Sequence, residues 1–100
     1  MFANISLVLP YYNESHNIEL TFNLILSQNL MPRQIIFINS NSSDDSFKKL
    51  NRLIDKCEDK QIKFLNIDTK ITTPSAAKNF GISKSIYDII AFMDFELIFD

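Results

Sequence analysis

The sequence has little glycine and little cysteine, with one of each, Gly81 and Cys57, among its 100 residues. A single glycine leaves no room for a Gly-x-Gly-x-x-Gly fingerprint or a P-loop, which argues against dinucleotide dehydrogenases and P-loop ATPases. A single cysteine excludes an intrachain disulfide and any Cys/His metal spacing. No apolar run approaches the ~20 residues needed to span a bilayer. No Ser/His/Asp hydrolase motif is present either.

The composition that remains is sufficient for one folded domain. The chain is 46% hydrophobic and 22% charged, which supports a real core and argues against disorder. The net charge of -2 argues against broad nucleic-acid binding. The N-terminus has no basic start and too short an apolar segment for a signal peptide. We therefore expect a cytoplasmic protein, unless a C-terminal continuation adds a membrane anchor.

Short apolar runs alternate with amphipathic patterns along the whole chain. Asn13 is expected to cap the first helix, and the second helix is expected to begin near Ser43 as its cap. The third helix is expected to start at Thr73 as N-cap, with Pro74 in its first position, and to run to about Ser85. This alternation predicts an α/β fold, a Rossmann-like parallel sheet with helices on both faces. The runs expected to form its strands are Ile5–Leu9, Gln34–Asn39, Ile62–Ile67 and Asp88–Met93.

Polar residues cluster where these strands end, at positions 10–14, 39–45 and 94–96. Ligands of parallel α/β sheets bind beyond the carboxyl ends of the strands. Asp94 and Glu96 are spaced so that both carboxylates of an extended segment point the same way, and hard divalent cations prefer such oxygen ligands. On spacing alone, a solvated acidic loop remains the simpler alternative.

Four of these segments together resemble the motifs of family 2 glycosyltransferases. "ISLVLPYYNE" resembles the family's first strand and its Pro-x-Tyr-Asn, and "IIFINSNSSDDS" resembles the second strand and its Asp-x-Gly-Ser-x-Asp loop. "SAAKNFGIS" is similar to the Ala-Arg-Asn-x-Gly-Ile helix, and "IIAFMDFE" to the strand that enters the Asp-x-Asp motif. The segments occur in the family's order and cover nearly the whole chain.

The resemblance implies a fold, an activity and a cofactor. Residues 1–100 would form a single nucleotide-sugar-binding domain, the N-terminal half of a GT-A fold, truncated before the acceptor-binding half. The activity would be inverting transfer of a sugar from a nucleotide diphosphate sugar to an acceptor hydroxyl, saccharide or lipid-linked, with Mn²⁺ or Mg²⁺. The family's catalytic base lies beyond this segment, so the isolated chain is expected to show little or no activity.

The family's functional residues carry over to individual positions of this sequence. By resemblance, Asp94 and Glu96 would hold the metal, Tyr12 would lie against the nucleotide base, and Lys78 would contact the donor. The residues expected to line the donor site are Pro10, Tyr12, Glu14, Asn39, Lys78 and Asp94.

Four positions depart from the family's pattern. Asn39 stands where the family has an aspartate that recognises the base, and it carries no charge. Asn41 replaces the loop glycine, and asparagine is the best substitute at a left-handed backbone position. Lys78 replaces an arginine and Glu96 replaces an aspartate. The departure at Asn39 keeps a second hypothesis open, a degenerate, non-catalytic module that binds a nucleotide or docks to a partner.

Several residues have simpler expected roles. Gly81 is expected to allow close packing, Cys57 to fill part of the core, and His16 to lie on the surface. The fourth strand is expected to leave an exposed sheet edge through which the chain self-associates.

Overall fold

The computed structural model describes residues 1–93, and within them strands and helices alternate. The strands pair in the order β3-β2-β1-β4, and every pairing is parallel. The predicted Rossmann-like α/β sheet is therefore confirmed. The elements are β1 (Phe2–Tyr11), α1 (Ile18–Leu26), β2 (Met31–Ser40), α2 (Ser46–Lys56), β3 (Lys63–Thr69), α3 (Pro74–Lys84) and β4 (Ile89–Phe92).

Helices cover both faces of the sheet because alternate strand residues point to opposite sides. Leu9 and Phe37 pack on the face that carries α1 and α2, where the Phe22 ring lies 5.7 Å from the Phe64 ring. Val8 and Ile36 pack on the opposite face, against α3. The middle strands β1 and β2 are consequently apolar on both sides, as their near-continuous hydrophobic runs indicate.

The boundaries of several elements differ from those predicted. β1 and β2 extend beyond the predicted runs Ile5–Leu9 and Gln34–Asn39, and they include Pro10 and Pro32. Asn13 does not cap α1, which begins at Ile18. The second helix begins at Ser46 and not near Ser43. Before each of these two helices, the loop residues contact the other loop, as described below, and sequence position alone does not reveal such contacts.

The third helix matches its prediction. Thr73 is the N-cap, its hydroxyl accepts a hydrogen bond from the Ala76 amide at 3.4 Å, and Pro74 occupies the first turn. Gly81 faces β1 so closely that an added Cβ would lie 2.4 Å from a methyl carbon of Val8. The close-packing role expected of this glycine is confirmed.

Pro10 lies in β1, between β2 and β4, without losing a hydrogen bond to β2. The Met93 amide donates to the Val8 carbonyl at 3.1 Å, so the backbone groups of Val8, and by alternation those of Pro10, face β4. Proline has no amide hydrogen to continue this ladder. Within residues 1–93, the register pairs of β1 with β4 run from Ile5 to Val8, and Pro10 has no backbone donor to offer on that side.

The helices of residues 1–93 include no candidate membrane span.

Candidate functional site

The strand order places a topological switch between β1 and β4. The chain moves from β1 outward to β2 and β3, then returns to the other side of β1 as β4. In open parallel sheets of this kind, the crevice beyond the carboxyl ends at the switch is the usual ligand site. The segment from Pro10 to Glu14 leaves β1 at this point, and Met93 stands at the carboxyl end of β4.

The two consecutive tyrosines at the end of β1 have different environments. Tyr11 is buried and its hydroxyl donates to Asn66 Oδ1 at 2.8 Å, which ties β1 to β3. Burial raises the pKa of Tyr11 above its ordinary value, so the hydroxyl stays protonated. Tyr12 is 58% exposed. Its ring is therefore available to a ligand, while Tyr11 anchors the strand end from which it projects.

Asn13 connects the loop after β1 to the loop after β2. Its backbone has φ of 50°, a left-handed conformation, and its amide donates to Ser42 Oγ at 2.9 Å. Its side-chain oxygen accepts hydrogen bonds from the amides of Ser43, at 2.8 Å, and Asp44, at 3.2 Å. The side chain thus binds the segment that leads into α2 and does not cap α1.

The next residues extend this connection. The Glu14 amide donates to Ser46 Oγ at 2.9 Å, and the Ser15 amide donates to Asp44 Oδ2 at 3.2 Å. Lys49 Nζ donates to the Ser15 carbonyl at 3.1 Å. Glu14 is thus placed by its backbone beside the N-terminus of α2, at the same end of the sheet as Tyr12.

The acids of this junction are held in their charged form. Burial opposes ionisation of Asp44, but hydrogen bonds from Ser46 and Ser15 outweigh it and hold the pKa of Asp44 below its ordinary 3.8. The hydroxyl of Ser15 donates to Asp45 and lowers the pKa of that carboxyl as well. Two negative charges at the N-terminus of α2 also interact favourably with the helix dipole.

Asn39, at the end of β2, is only 3% exposed and both ends of its amide are engaged. Its Nδ2 donates to Asp68 Oδ1 at 2.8 Å, and its Oδ1 accepts from the Ser42 amide at 3.1 Å. The carbonyl of Asn39 accepts from the Thr69 hydroxyl at 2.7 Å. The residue therefore joins the ends of β2 and β3 and shapes the loop that follows β2.

Asn41 has φ of 61°, the left-handed conformation predicted for the position where related sequences have glycine. The turn survives without glycine, and that expectation is confirmed. His16 is exposed, and Cys57 is half-buried against the core, as expected of both.

Lys78 projects from the second turn of α3 toward β4. Its Nζ lies 5.7 Å from the centre of the Phe92 ring, in a cation–π contact. Phe92 pairs with Val8 near the carboxyl end of β4. The structure thus places this positive charge beside the strand that leads to Asp94 in the sequence.

Asp94 and Glu96, the predicted metal ligands, lie outside the described residues. Within residues 1–93, no group of three or more His, Cys, Asp or Glu side chains is arranged to hold a metal ion. The carboxylates of Asp94 and Glu96 are the donor type that Mn²⁺ and Mg²⁺ prefer, so the sequence immediately after β4 suits such an ion chemically.

Sequence reasoning missed two features of this site. Asp68 was not considered, although strand alternation places it on the same face as Asn66, and the β2–β3 register sets it beside Asn39. The loop–loop contacts of Asn13 were also missed, since an asparagine before a helix resembles a cap. The alternation of polar residues along β3 was a signal that could have pointed to Asp68. What the sequence could not supply, for Asp68 or for Asn13, was which residues of other strands and loops lie beside them.

The arrangement agrees with comparison to known proteins. The family model described as glycosyl transferase family 2 matches residues 6–99. The chain belongs to glycosyl transferase family 2.

Two curated relatives show how much of a family 2 protein this chain covers. It is 33% identical over 90 residues to an uncharacterized glycosyltransferase of Haemophilus influenzae, covering 90% of this chain and 35% of the relative. It is 30% identical over 97 residues to a poly-beta-1,6-N-acetyl-D-glucosamine synthase of Staphylococcus aureus, covering 96% of this chain and 22% of the synthase. The chain therefore spans about a third or less of the length of these relatives.

Solved structures share the fold. The mannosyltransferase PcManGT from Pyrobaculum calidifontis, in complex with GDP-Man and Mn²⁺, matches with a TM-score of 0.80 at 19% identity. That match covers 91% of this family 2 chain and 27% of the mannosyltransferase. TarS of S. aureus in complex with UDP matches with a TM-score of 0.75 at 14% identity, covering 92% of this chain and 27% of TarS. The neighbours confirm the GT-A fold of the segment.

Proposed function

We propose that this chain is the nucleotide-sugar-binding segment of an inverting glycosyltransferase that uses a nucleotide diphosphate sugar and Mn²⁺ or Mg²⁺. The observation that carries the proposal is the position of Tyr12, Asn39 and Lys78. Tyr12 follows the carboxyl end of β1, Asn39 lies at the end of β2, and Lys78 contacts Phe92 of β4, in a chain whose family match runs from residue 6 to residue 99. The acceptor would be a hydroxyl of a saccharide or a lipid-linked molecule.

Each proposed residue has a physical task at this edge. The exposed ring of Tyr12 offers a flat face on which a base can stack, an interaction worth about 1–3 kcal/mol per base in nucleic-acid complexes. Pro10 and Glu14 flank that ring along the segment that leaves β1. Lys78 supplies positive charge toward the phosphates from beside β4.

Asp94 and Glu96 are the residues proposed to hold the divalent ion. A bound cation supplies the positive charge that offsets the diphosphate and stabilises the departing nucleoside diphosphate. The two carboxylates anchor it to the chain just after β4, and Asp94 also belongs to the proposed donor site.

The proposal is tested by isothermal titration of the protein with UDP and GDP, with and without Mn²⁺. We expect binding that depends on Mn²⁺ and that weakens by about tenfold or more in Asp94→Ala and Glu96→Ala, because each variant removes an oxygen ligand. Asp55→Ala, which removes an exposed acid from the outside of α2, serves as the control and should bind normally. Mn²⁺-dependent binding that is unchanged in both variants would contradict the assignment of the metal ligands.

The second candidate is a non-catalytic module, and the neutral Asn39 favours it. In a degenerate relative the base would be recognised weakly and the metal would not be needed. The same titration separates the two functions: weak, metal-independent binding, or none, would favour the module.

A further inference from the structure

A hydrogen-bonded pair, Asn39 of β2 and Asp68 of β3, lies at the ends of these two strands, and its negative charge is on Asp68. Asn39 Nδ2 donates to Asp68 Oδ1 at 2.8 Å, and the two residues are register partners in the sheet. Asn39 is buried and neutral, whereas Asp68 is exposed. The carboxylate at this part of the edge is therefore the one that solvent, or a ligand, can reach.

The amide of Asn39 has little capacity left for a ligand. Its nitrogen is directed to Asp68 and its oxygen accepts from the Ser42 backbone. A carboxylate can accept about four hydrogen bonds, and Asn39 provides one of them to Asp68. Asn39 thus serves as a neutral support that orients the carboxylate of Asp68.

We propose that Asp68 is the specificity-determining residue for the donor's base, accepting a hydrogen bond from a ring N–H group; this inference rests on the proposed function. Tyr11, Asn39 and Asp68 are aligned across three strands, and the exposed ring of Tyr12 follows Tyr11 directly. In the proposed pose the base lies against Tyr12 and turns its polar edge toward Asp68, at the same carboxyl edge of the sheet. A charged acceptor forms a hydrogen bond roughly twice as strong as a neutral one.

The chemistry of the acceptor selects between bases. Uracil and guanine each carry a ring N–H on the edge used for base pairing, whereas cytosine and adenine carry a ring nitrogen with a lone pair at that position. A carboxylate attracts the first pair and repels the second, because two acceptors that face each other leave both unsatisfied. Asp68 therefore selects nucleoside diphosphates of uracil or guanine over those of cytosine or adenine.

The test is isothermal titration of the protein and Asp68→Asn with UDP, GDP, CDP and ADP, all with Mn²⁺. The asparagine still accepts the hydrogen bond from Asn39, so the pair is kept and only the charge is lost. We expect UDP or GDP to bind the unaltered protein at least tenfold more tightly than CDP and ADP. In Asp68→Asn that preference should fall by about five- to tenfold.

Two further variants make the result decisive. Asp68→Glu keeps a carboxylate at the exposed position on β3, so it should retain most of the preference that Asp68→Asn loses. Asp55→Asn removes an equal charge from the outside of α2 and should change nothing. Unaltered preference in a folded Asp68→Asn variant would overturn the role of Asp68 while leaving the proposed function intact. Failure of the unaltered protein to bind any of the four would overturn both.

Discussion

At the scale of single residues, two asparagines hold backbone conformations that most residues avoid. Asn13 and Asn41 have φ of 50° and 61° and lie in the loops after β1 and β2. Asparagine tolerates this region better than other residues with a Cβ, at a cost below the roughly 1–2 kcal/mol that they pay. The left-handed conformation of Asn41 was predictable, because the family motif has a glycine at that position. That of Asn13 was not, since the partners of its side chain lie in another loop.

Asn41 offers a direct test of backbone strain. We expect Asn41→Gly to leave the free energy of unfolding unchanged within about 0.5 kcal/mol, because glycine adopts positive φ without strain. Asn41→Ala should lower it by about 1 kcal/mol, because alanine pays the full steric cost. Urea denaturation followed by circular dichroism measures both.

A matched control is Asn29→Ala, which makes the same substitution at an exposed position that does not have positive φ. This variant should change stability by less than about 0.5 kcal/mol. Equal effects of alanine and glycine at position 41 would contradict the strain argument.

At the scale of elements, the contact between α3 and β1 depends on the absence of one side chain. Gly81 allows the helix to approach until Val8 fills the space where a Cβ would lie. The helix itself was predictable, since Thr73 and Pro74 are local signals for its start. The starts of α1 and α2 were not, because Asn13, Asp44 and Ser46 each take part in hydrogen bonds between the two loops, and local signals do not report such contacts.

Gly81→Ala should destabilise the protein by about 1–2 kcal/mol. Overpacking against Val8 costs about 1–3 kcal/mol, and the higher helix propensity of alanine offsets up to about 1 kcal/mol of that. Val8→Ala alone leaves a cavity, so the double variant G81A/V8A should be more stable than the two single effects predict. The double-mutant cycle in urea measures this coupling, expected at about 1 kcal/mol or more.

Ser83→Ala, on the exposed side of the same helix, is the control for helix propensity. It should be neutral or slightly stabilising. Additive effects in the cycle would show that the destabilisation of Gly81→Ala does not come from the close approach of residue 81 to Val8.

At the scale of the whole molecule, alternation of apolar runs was sufficient to predict a parallel sheet covered on both faces. The residues at the strand ends were also predictable, because parallel strands share one carboxyl edge. The pairing of Asn39 with Asp68 was not, since strand order and register are set by packing across the sheet and not by local sequence. The predicted metal ligands follow the last described residue, so they remain a prediction.

β4 lies at one edge of the assembled sheet, and this position has a consequence for association of the chain. Within residues 1–93, β4 pairs only with β1, and Ile89 at its start is 63% exposed. Unpaired edges with apolar side chains promote association. We expect the chain to self-associate as its concentration rises, and Ile89→Lys to reduce this, as measured by light scattering.

Leu20→Lys provides the comparison. Leu20 is 53% exposed and lies on helix α1, not on the edge strand, so replacing this apolar residue with lysine should leave self-association unchanged. A monomer at high concentration, before any substitution, would contradict the role of the edge.

Pro10 has one more consequence for the crevice between β1 and β4. A ladder of backbone hydrogen bonds continues only while each residue supplies its donor, and residue 10 lacks the donor on the side that faces β4. Pro10 therefore offers no backbone N–H at this end of β1 on the side that faces β4, and because the cause is a covalent ring, neither salt, temperature nor the loss of a ligand alters it.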